Sequence, residues 1–422
     1  MNKIWIGFGC VIFFISQIAF ALPGTFGLSP DNNRTLLLSV FNDAKSTIEV
    51  NIYQFDNQEI ADALTKKIKE GLTVRLLVEG QPLGKISPDG KKVLEQLRNA
   101  MQKAPNKQNR LFMMTDLDDK SIKRRYRYNH AKYVIADKKV VLISSENFTG
   151  HGHPEMGEIG NRGWEVVIES VSLARKLQDI FEFDIKKEYE DVVRIQNGPI
   201  PNTNHIEDFS PPSEKFYRPF KPIPIGEGNV RKVRVIDSPD SSRSLKSMIR
   251  TAKTSIEVEQ MSFPPTWRDN NHEKQVSPMI IEIVKAAKRG VKVKVLVNDD
   301  RVFDPGSPED EKKPNQLTAD LFMEYARCYD LPISARVIDI EKTALSYIHN
   351  KGVIVDNELV LVSSINWTKN SVMNNREIAV LMESEDAAKY YKRAFDFDWF
   401  YSEKSAAKAA RHLTGPCPPL PQ

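Results

Sequence analysis

The sequence predicts an α/β protein built of two similar halves, each a mixed sheet flanked by helices, related by a pseudo-twofold axis. Three observations predict it: segments that recur at a near-constant spacing, the helix-then-strand character of each segment, and a proline-rich stretch between the two sets. Ala44-Lys45-Ser46-Thr47-Ile48-Glu49-Val50 returns as Ala252-Lys253-Thr254-Ser255-Ile256-Glu257-Val258, an offset of 208. Glu70-Gly71-Leu72-Thr73-Val74 returns as Arg289-Gly290-Val291-Lys292-Val293 at an offset of 219, so the second half carries an 11-residue insertion, expected near Pro264 to Lys274. Each glycine follows an amphipathic run (Ile60 to Lys69; Ile280 to Lys288) and suits a helix C-cap. The apolar, β-branched run after it reads as a buried strand. Phe181-Glu182-Phe183-Asp184 and Phe395-Asp396-Phe397-Asp398 repeat at an offset of 214.

The ends and the middle set the boundaries. Residues 1–21 carry one charge, Lys3, then an apolar run from Ile4 to Ile15, then Ala19-Phe20-Ala21. That is the order of a signal peptide, with cleavage expected after Ala21; if uncleaved it would anchor the chain in a membrane. Either way the rest is expected to be exported, to the periplasm or beyond. The first half then covers 22–195, a proline-rich linker 196–228, the second half 229–404 and an extended tail 405–422. Cys328 and Cys417 could pair in an oxidising compartment. The 422 residues carry 60 basic and 56 acidic side chains, a net charge of +4, so overall charge makes no case for nucleic acid.

The chemistry lies in one repeated pattern. His130-Ala131-Lys132 with Asp137 has the form His-x-Lys-x4-Asp, as has His349-Asn350-Lys351 with Asp356, again at an offset of 219. Ser144-Ser145-Glu146-Asn147 and Ser363-Ser364-Ile365-Asn366 follow at one fixed distance. One copy is a weak signal, but two in register are not coincidence. On a strand, residues two apart share a face, so each His and Lys points the same way, and the neighbouring strand brings the Ser and Asn to the same edge. A near-neutral imidazole can act as nucleophile or proton shuttle. Two lysines and two asparagines can hold the non-bridging oxygens of a phosphate as charge builds. The set asks for a phosphodiester and makes a metal unnecessary. His151-Gly152-His153 reads as a loop with a structural or incidental role. Asp137 and Asp356 lie too far along the strand from the histidines and read as structural turn residues.

These motifs resemble those of the phospholipase D superfamily, over most of the chain after residue 21. Ser144 and Ser363 stand where that family commonly has glycine. The resemblance implies a two-step reaction through a phosphohistidine, without a cofactor. It implies His130 as nucleophile and His349 as acid and then base, or the reverse. Lys132, Lys351, Asn147 and Asn366 would hold the phosphate, with Ser145 and Ser364 supporting. It also implies an acidic residue near Asn161-Arg162 and Asn375-Arg376 that orients each catalytic imidazole. Glu165 and Glu377 are the expected pair; the alternative is a surface carboxylate at a strand start.

Lys120, Lys123, Arg124, Arg125 and Arg127, interleaved with Tyr126 and Tyr128, precede His130. They read either as an anion-binding rim, with Arg125 and Arg127 at the substrate, or as a solvated loop. Met261, Phe263 and Trp267 could face a membrane or fill the core. The expected substrate is a glycerophospholipid at a membrane surface, met by a monomer that hydrolyses it or exchanges its headgroup. A secreted nuclease, a cardiolipin synthase-type transferase and an inactive anion-binding copy are the alternatives, with nucleic acid the weaker one.

Overall fold

The computed structural model describes residues 21–196, 200, 222–402 and 417–420, apart from 84, 115–122, 270, 305, 307, 309–310 and 344. The expected signal peptide, most of the linker and most of the tail lie outside them, as does Lys120.

The first half contributes β1 (Leu22–Ser29), β2 (Thr47–Ile52), β3 (Thr73–Val78), β4 (Arg110–Met114), β5 (Tyr133–Ala136), β6 (Val140–Ser144), β7 (Gly163–Glu169) and β8 (Val192–Arg194). The second contributes β9 (Gly226–Ser238), β10 (Ser255–Gln260), β11 (Thr266–Arg268), β12 (Lys274–Val276), β13 (Lys292–Val297), β14 (Ile333–Val337), β15 (Lys351–Val355), β16 (Leu359–Ser363) and β17 (Glu377–Glu383). Strand β9 starts three residues inside the stretch expected as linker. All but β11 and β12 form one mixed sheet in the order β14-β13-β10-β15-β16-β17-β9-β1-β7-β6-β5-β2-β3-β4-β8. Read outward from the antiparallel β9·β1 pair, the two sides present equivalent strands in the same order, and β8 alone has no counterpart. The expected insertion is the β11·β12 hairpin.

Sequence accounts for the helices that cover the sheet. Asn57 caps Gln58–Lys69 by accepting from the amides of Glu59 and Ile60, and Gly71 and Gly290 take φ of 95° and 92° just past their helices, a conformation glycine adopts without strain. Helices Val171–Asp184 and Glu385–Tyr401 share one apolar core drawing strands from both halves. Each half has a second core on the opposite face, around Leu37, Ile60 and Leu94 in one and Leu245, Ile283 and Phe322 in the other. Phe263 belongs to the latter, which assigns it to the core; Trp267 is partly buried against the same cluster. Across the junction the indole of Trp164 stacks on Tyr391 and lies against Gly352, where a Cβ would meet the ring at 2.4 Å. Cys328 and Cys417 form a disulfide, with Cα atoms 5.7 Å apart. Among the described residues no helix is long and apolar enough to cross a membrane.

Candidate active site

The two motifs meet because each is threaded onto the other half. The chain before β5 runs beside residues 374–376: Arg127 and His130 donate their amides to the carbonyls of Asn374 and Arg376, at 2.9 and 2.8 Å, and the Arg376 amide donates to Tyr128. Before β15 the same is repeated: His349 donates to the Arg162 carbonyl at 2.9 Å, and Arg162 donates to Tyr347. The strands proper begin only at Tyr133 and Lys351, so His130, Lys132 and His349 sit on the extended approach rather than within a ladder, at the edge between the halves.

Each arginine then anchors the helix of the opposite half. Arg162 bonds Asp398 at 2.6 Å and Asp31 at 2.8 Å, while Arg376 bonds Asp184 at 2.9 Å and lies over the Tyr126 ring. Asp184 and Asp398 close the repeated Phe-x-Phe-Asp segments, so that repeat marks the fastening of the site. Arg162, Arg376 and their aspartates did not emerge as site-building residues from sequence reasoning, although the Asn-Arg pairs at 161–162 and 375–376 were visible.

The imidazoles are each oriented from across the junction. His130 Nδ1 lies 2.7 Å from Glu377 Oε2, whose other oxygen accepts from Asn375 Nδ2 at 3.0 Å. His349 Nδ1 lies 3.1 Å from Glu146 Oε2, which also accepts from Asn161 Nδ2 at 3.0 Å. Glu377 is therefore where the resemblance implied, but Glu165 is not. Its carboxylate bonds His153 Nε2 and the Ser144 hydroxyl, both at 2.7 Å, in a fully buried network that also ties His153 Nδ1 to the Asn147 carbonyl at 2.9 Å. The reason is register. In the ladders Ser144 faces Glu165 and Ser363 faces Ala379, so Glu165 is the counterpart of Ala379, not of Glu377. The repeated Asn-Arg pair, at the same offset of 214 as the Phe-x-Phe-Asp segments, carried that register in the sequence.

Lys132 and Lys351 are almost wholly enclosed, each donating to the carbonyl of its own histidine, and Lys132 sits over the Tyr53 ring. Burial drives Lys132 well below the ordinary lysine range and Lys351 down to about 7. Burial, reinforced by the two lysines, lowers His130 to about 4 and holds His349 well below the usual imidazole value. These shifts favour the neutral imidazole in the free protein, the state a nucleophile or base needs, and a phosphodiester anion bound beside the rings works against them. Burial also raises Glu146, to about 7. In Glu377 burial pushes the same way, but His130, Lys132 and Ser364 outweigh it and hold the carboxyl below its ordinary range.

The remaining expected residues divide. Asn147 Nδ2 donates to Gln54 at 2.9 Å, and the side-chain oxygens of Asn147 and Asn366 are buried without a hydrogen-bond partner among the described residues. Ser145 and Ser364 do not offer their hydroxyls to a substrate. Ser364 donates to Glu377 at 2.6 Å, Ser145 lies 3.5 Å from Glu146, and both accept strand amides, because a buried hydroxyl must pair with what surrounds it. Arg125 is likewise removed from a substrate role: it is consumed by Asp191 at 2.7 Å and by the carbonyls of Phe183 and Asp184. Arg124 bonds Glu79 at 2.8 Å, leaving Lys123 and Arg127 as the exposed cations among the described residues of that cluster. Asp137 and Asp356 lie at the far strand ends, each capping three backbone amides, of residues 45–47 and 253–255. Among the described residues no cluster of three His, Cys, Asp or Glu side chains could hold a metal ion.

Comparison with known proteins agrees with this geometry. The family model described as cardiolipin synthase, PLD-like domain, matches residues 37–185 and 245–399, well over half the chain and once per half. A mitochondrial cardiolipin hydrolase of Canis lupus familiaris is 36% identical over 55 residues, 13% of this chain and 22% of that protein. An envelope phospholipase of Variola virus is 26% identical over 161 residues, 38% of this chain and 39% of that one. The matches thus span well under half the length of either relative. A phosphatidylserine synthase of Haemophilus influenzae shares the fold at a TM-score of 0.60 and 14% identity, over 92% of this chain and 91% of that one. With one family domain in each half, together matching well over half of the chain, this protein belongs to the phospholipase D superfamily.

Proposed function

We propose that the protein is an exported phospholipase D-type enzyme acting on glycerophospholipids at a membrane surface. The observation that carries the choice of lipid is the apolar rim. The Leu83 amide donates to the Tyr53 hydroxyl, and the Tyr53 ring packs on His130 with centroids 4.7 Å apart. On the other side Phe303 packs on Tyr347 at 5.1 Å, and Tyr347 on His349 at 5.8 Å. Leu83 and Phe303 follow the equivalent strands β3 and β13 and are 70% and 42% exposed, so large apolar side chains flank the site on both sides. Exposed apolar groups beside a polar centre favour an acyl-chain interface over a nucleic-acid backbone. The disulfide suits the oxidising compartment that export would reach.

In this reading the bound phosphodiester anion favours protonation of His349; His130 attacks phosphorus and the bond to the leaving alcohol breaks as the protonated His349 gives that oxygen the proton on its Nε2. The four cationic and amide groups, Lys132, Lys351, Asn147 and Asn366, hold the non-bridging oxygens. His349 then takes a proton from water, whose oxygen attacks phosphorus, and the N–P bond breaks to restore His130. A primary alcohol in place of water would give transfer. Residues 22–422 with mixed phospholipid vesicles, EDTA and a small primary alcohol should yield phosphatidic acid and phosphatidyl-alcohol. Folded protein that cleaves DNA but makes no lipid product would overturn the lipid reading in favour of a nuclease.

A further inference from the structure

Glu377 is the first residue of β17, and its counterpart, the first residue of β7, is Gly163. By position the first half lacks the carboxylate that the second half supplies. Its Ser-Ser-x-Asn turn carries Glu146, where the second half has the buried, apolar Ile365. The side chain of Glu146 is fully buried and fills the space that Gly163 leaves: a Cβ there would lie 2.1 Å from Glu146 Oε1, 2.5 Å from Cγ and 2.6 Å from Cδ. Its surroundings reproduce those of Glu377. The preceding asparagine of the Asn-Arg pair clamps each carboxylate at 3.0 Å, the second serine of each turn lies against it, and each meets the Nδ1 of the other half's histidine.

We propose that Glu146 is the positioning residue for His349, a carboxylate relocated from the strand to the turn, and that position 163 is glycine because Glu146 occupies its side-chain space. The inference rests on the phosphodiesterase activity but not on the lipid, so its test uses bis(p-nitrophenyl) phosphate. Glu146→Gln and Glu146→Ile should lower kcat about 10–100-fold, the scale of one lost charge-assisted hydrogen bond, with KM within about 3-fold and a displaced acid limb in the pH profile. Glu146→Ile with Gly163→Glu rebuilds the second half's arrangement and should recover kcat to within about 10-fold of wild type. Gly163→Glu alone sets two carboxylates in one space and should melt lower. A Glu146→Gln variant with unchanged kcat and pH profile would overturn the proposal, as would a double variant that melts like wild type but remains as slow as Glu146→Ile. Nitrogen shifts of the His349 ring give a readout independent of turnover and of the double variant's folding: Nδ1 should be the protonated nitrogen in wild type and lose that preference in Glu146→Gln. An unchanged tautomer would equally refute the relocation.

Discussion

The two half-sites do the same work with different sequence. In one, the strand residue Glu377 holds His130 at 2.7 Å; in the other, the turn residue Glu146 holds His349 at 3.1 Å. The second serine of the turn packs against both carboxylates, at 2.6 Å in one and 3.5 Å in the other, so the half with the strand carboxylate is the tighter of the two. The tethers ahead of the histidines differ as well: Glu79, paired with Arg124, accepts the Asn129 amide, whereas Asn298 accepts that of Ile348. A duplicated fold thus preserves where a charge stands relative to the imidazole, not which residue bears it. A Glu-for-Ile exchange at one position and a Gly-for-Glu exchange at another compensate only together, since either alone leaves a gap or a clash.

The comparison can be broken most decisively at the imidazoles. His130→Asn and His349→Asn should each lower turnover by at least about 10³-fold, measured on a chromogenic diester, because each half supplies an irreplaceable step. Lys132→Met and Lys351→Met should follow at about 10²–10³-fold, from lost stabilisation of phosphate charge, with most of the loss in kcat. The fastenings should cost stability: Asp184→Ala and Asp398→Ala each leave a buried arginine short of its partner and should destabilise by about 3–5 kcal/mol in denaturant titrations. The pH profile sharpens the contrast. As Lys351 loses its proton near its value of about 7, kcat/KM should fall on the alkaline side. A bound phosphodiester anion favours the ammonium and raises that value, so kcat should persist to higher pH. Smallest for activity, Asp137→Ala and Asp356→Ala should lower stability by about 1–2 kcal/mol each and by similar amounts, with kcat unchanged, as each caps the equivalent turn of its own half.

Much of this was legible in the sequence because repetition supplies its own control. The His-x-Lys pairs, the Ser-Ser-x-Asn turns and the helix-strand units each appear twice, so periodicity and spacing identify the α/β halves and the junction between them. The orienting carboxylate of the first half was not legible by analogy, because Glu165 stands two residues from the register the Asn-Arg pair defines and its side chain serves His153 instead. Substrate roles for Arg125, Ser145 and Ser364 failed for another reason: residue type shows that a group can bind phosphate, whereas Asp191, Glu146 and Glu377 decide that it does not face one. Such commitments are set by three-dimensional neighbours far apart in the chain.

The central claim is that both halves build one active site. It is tested most directly by the turnover of His130→Asn, His349→Asn and the double variant on one diester, with folding checked by melting. A shared site predicts that each single variant loses as much as the pair. Two independent half-sites would instead leave each single variant about half of wild-type activity, with loss only in the double, and that result would contradict the account.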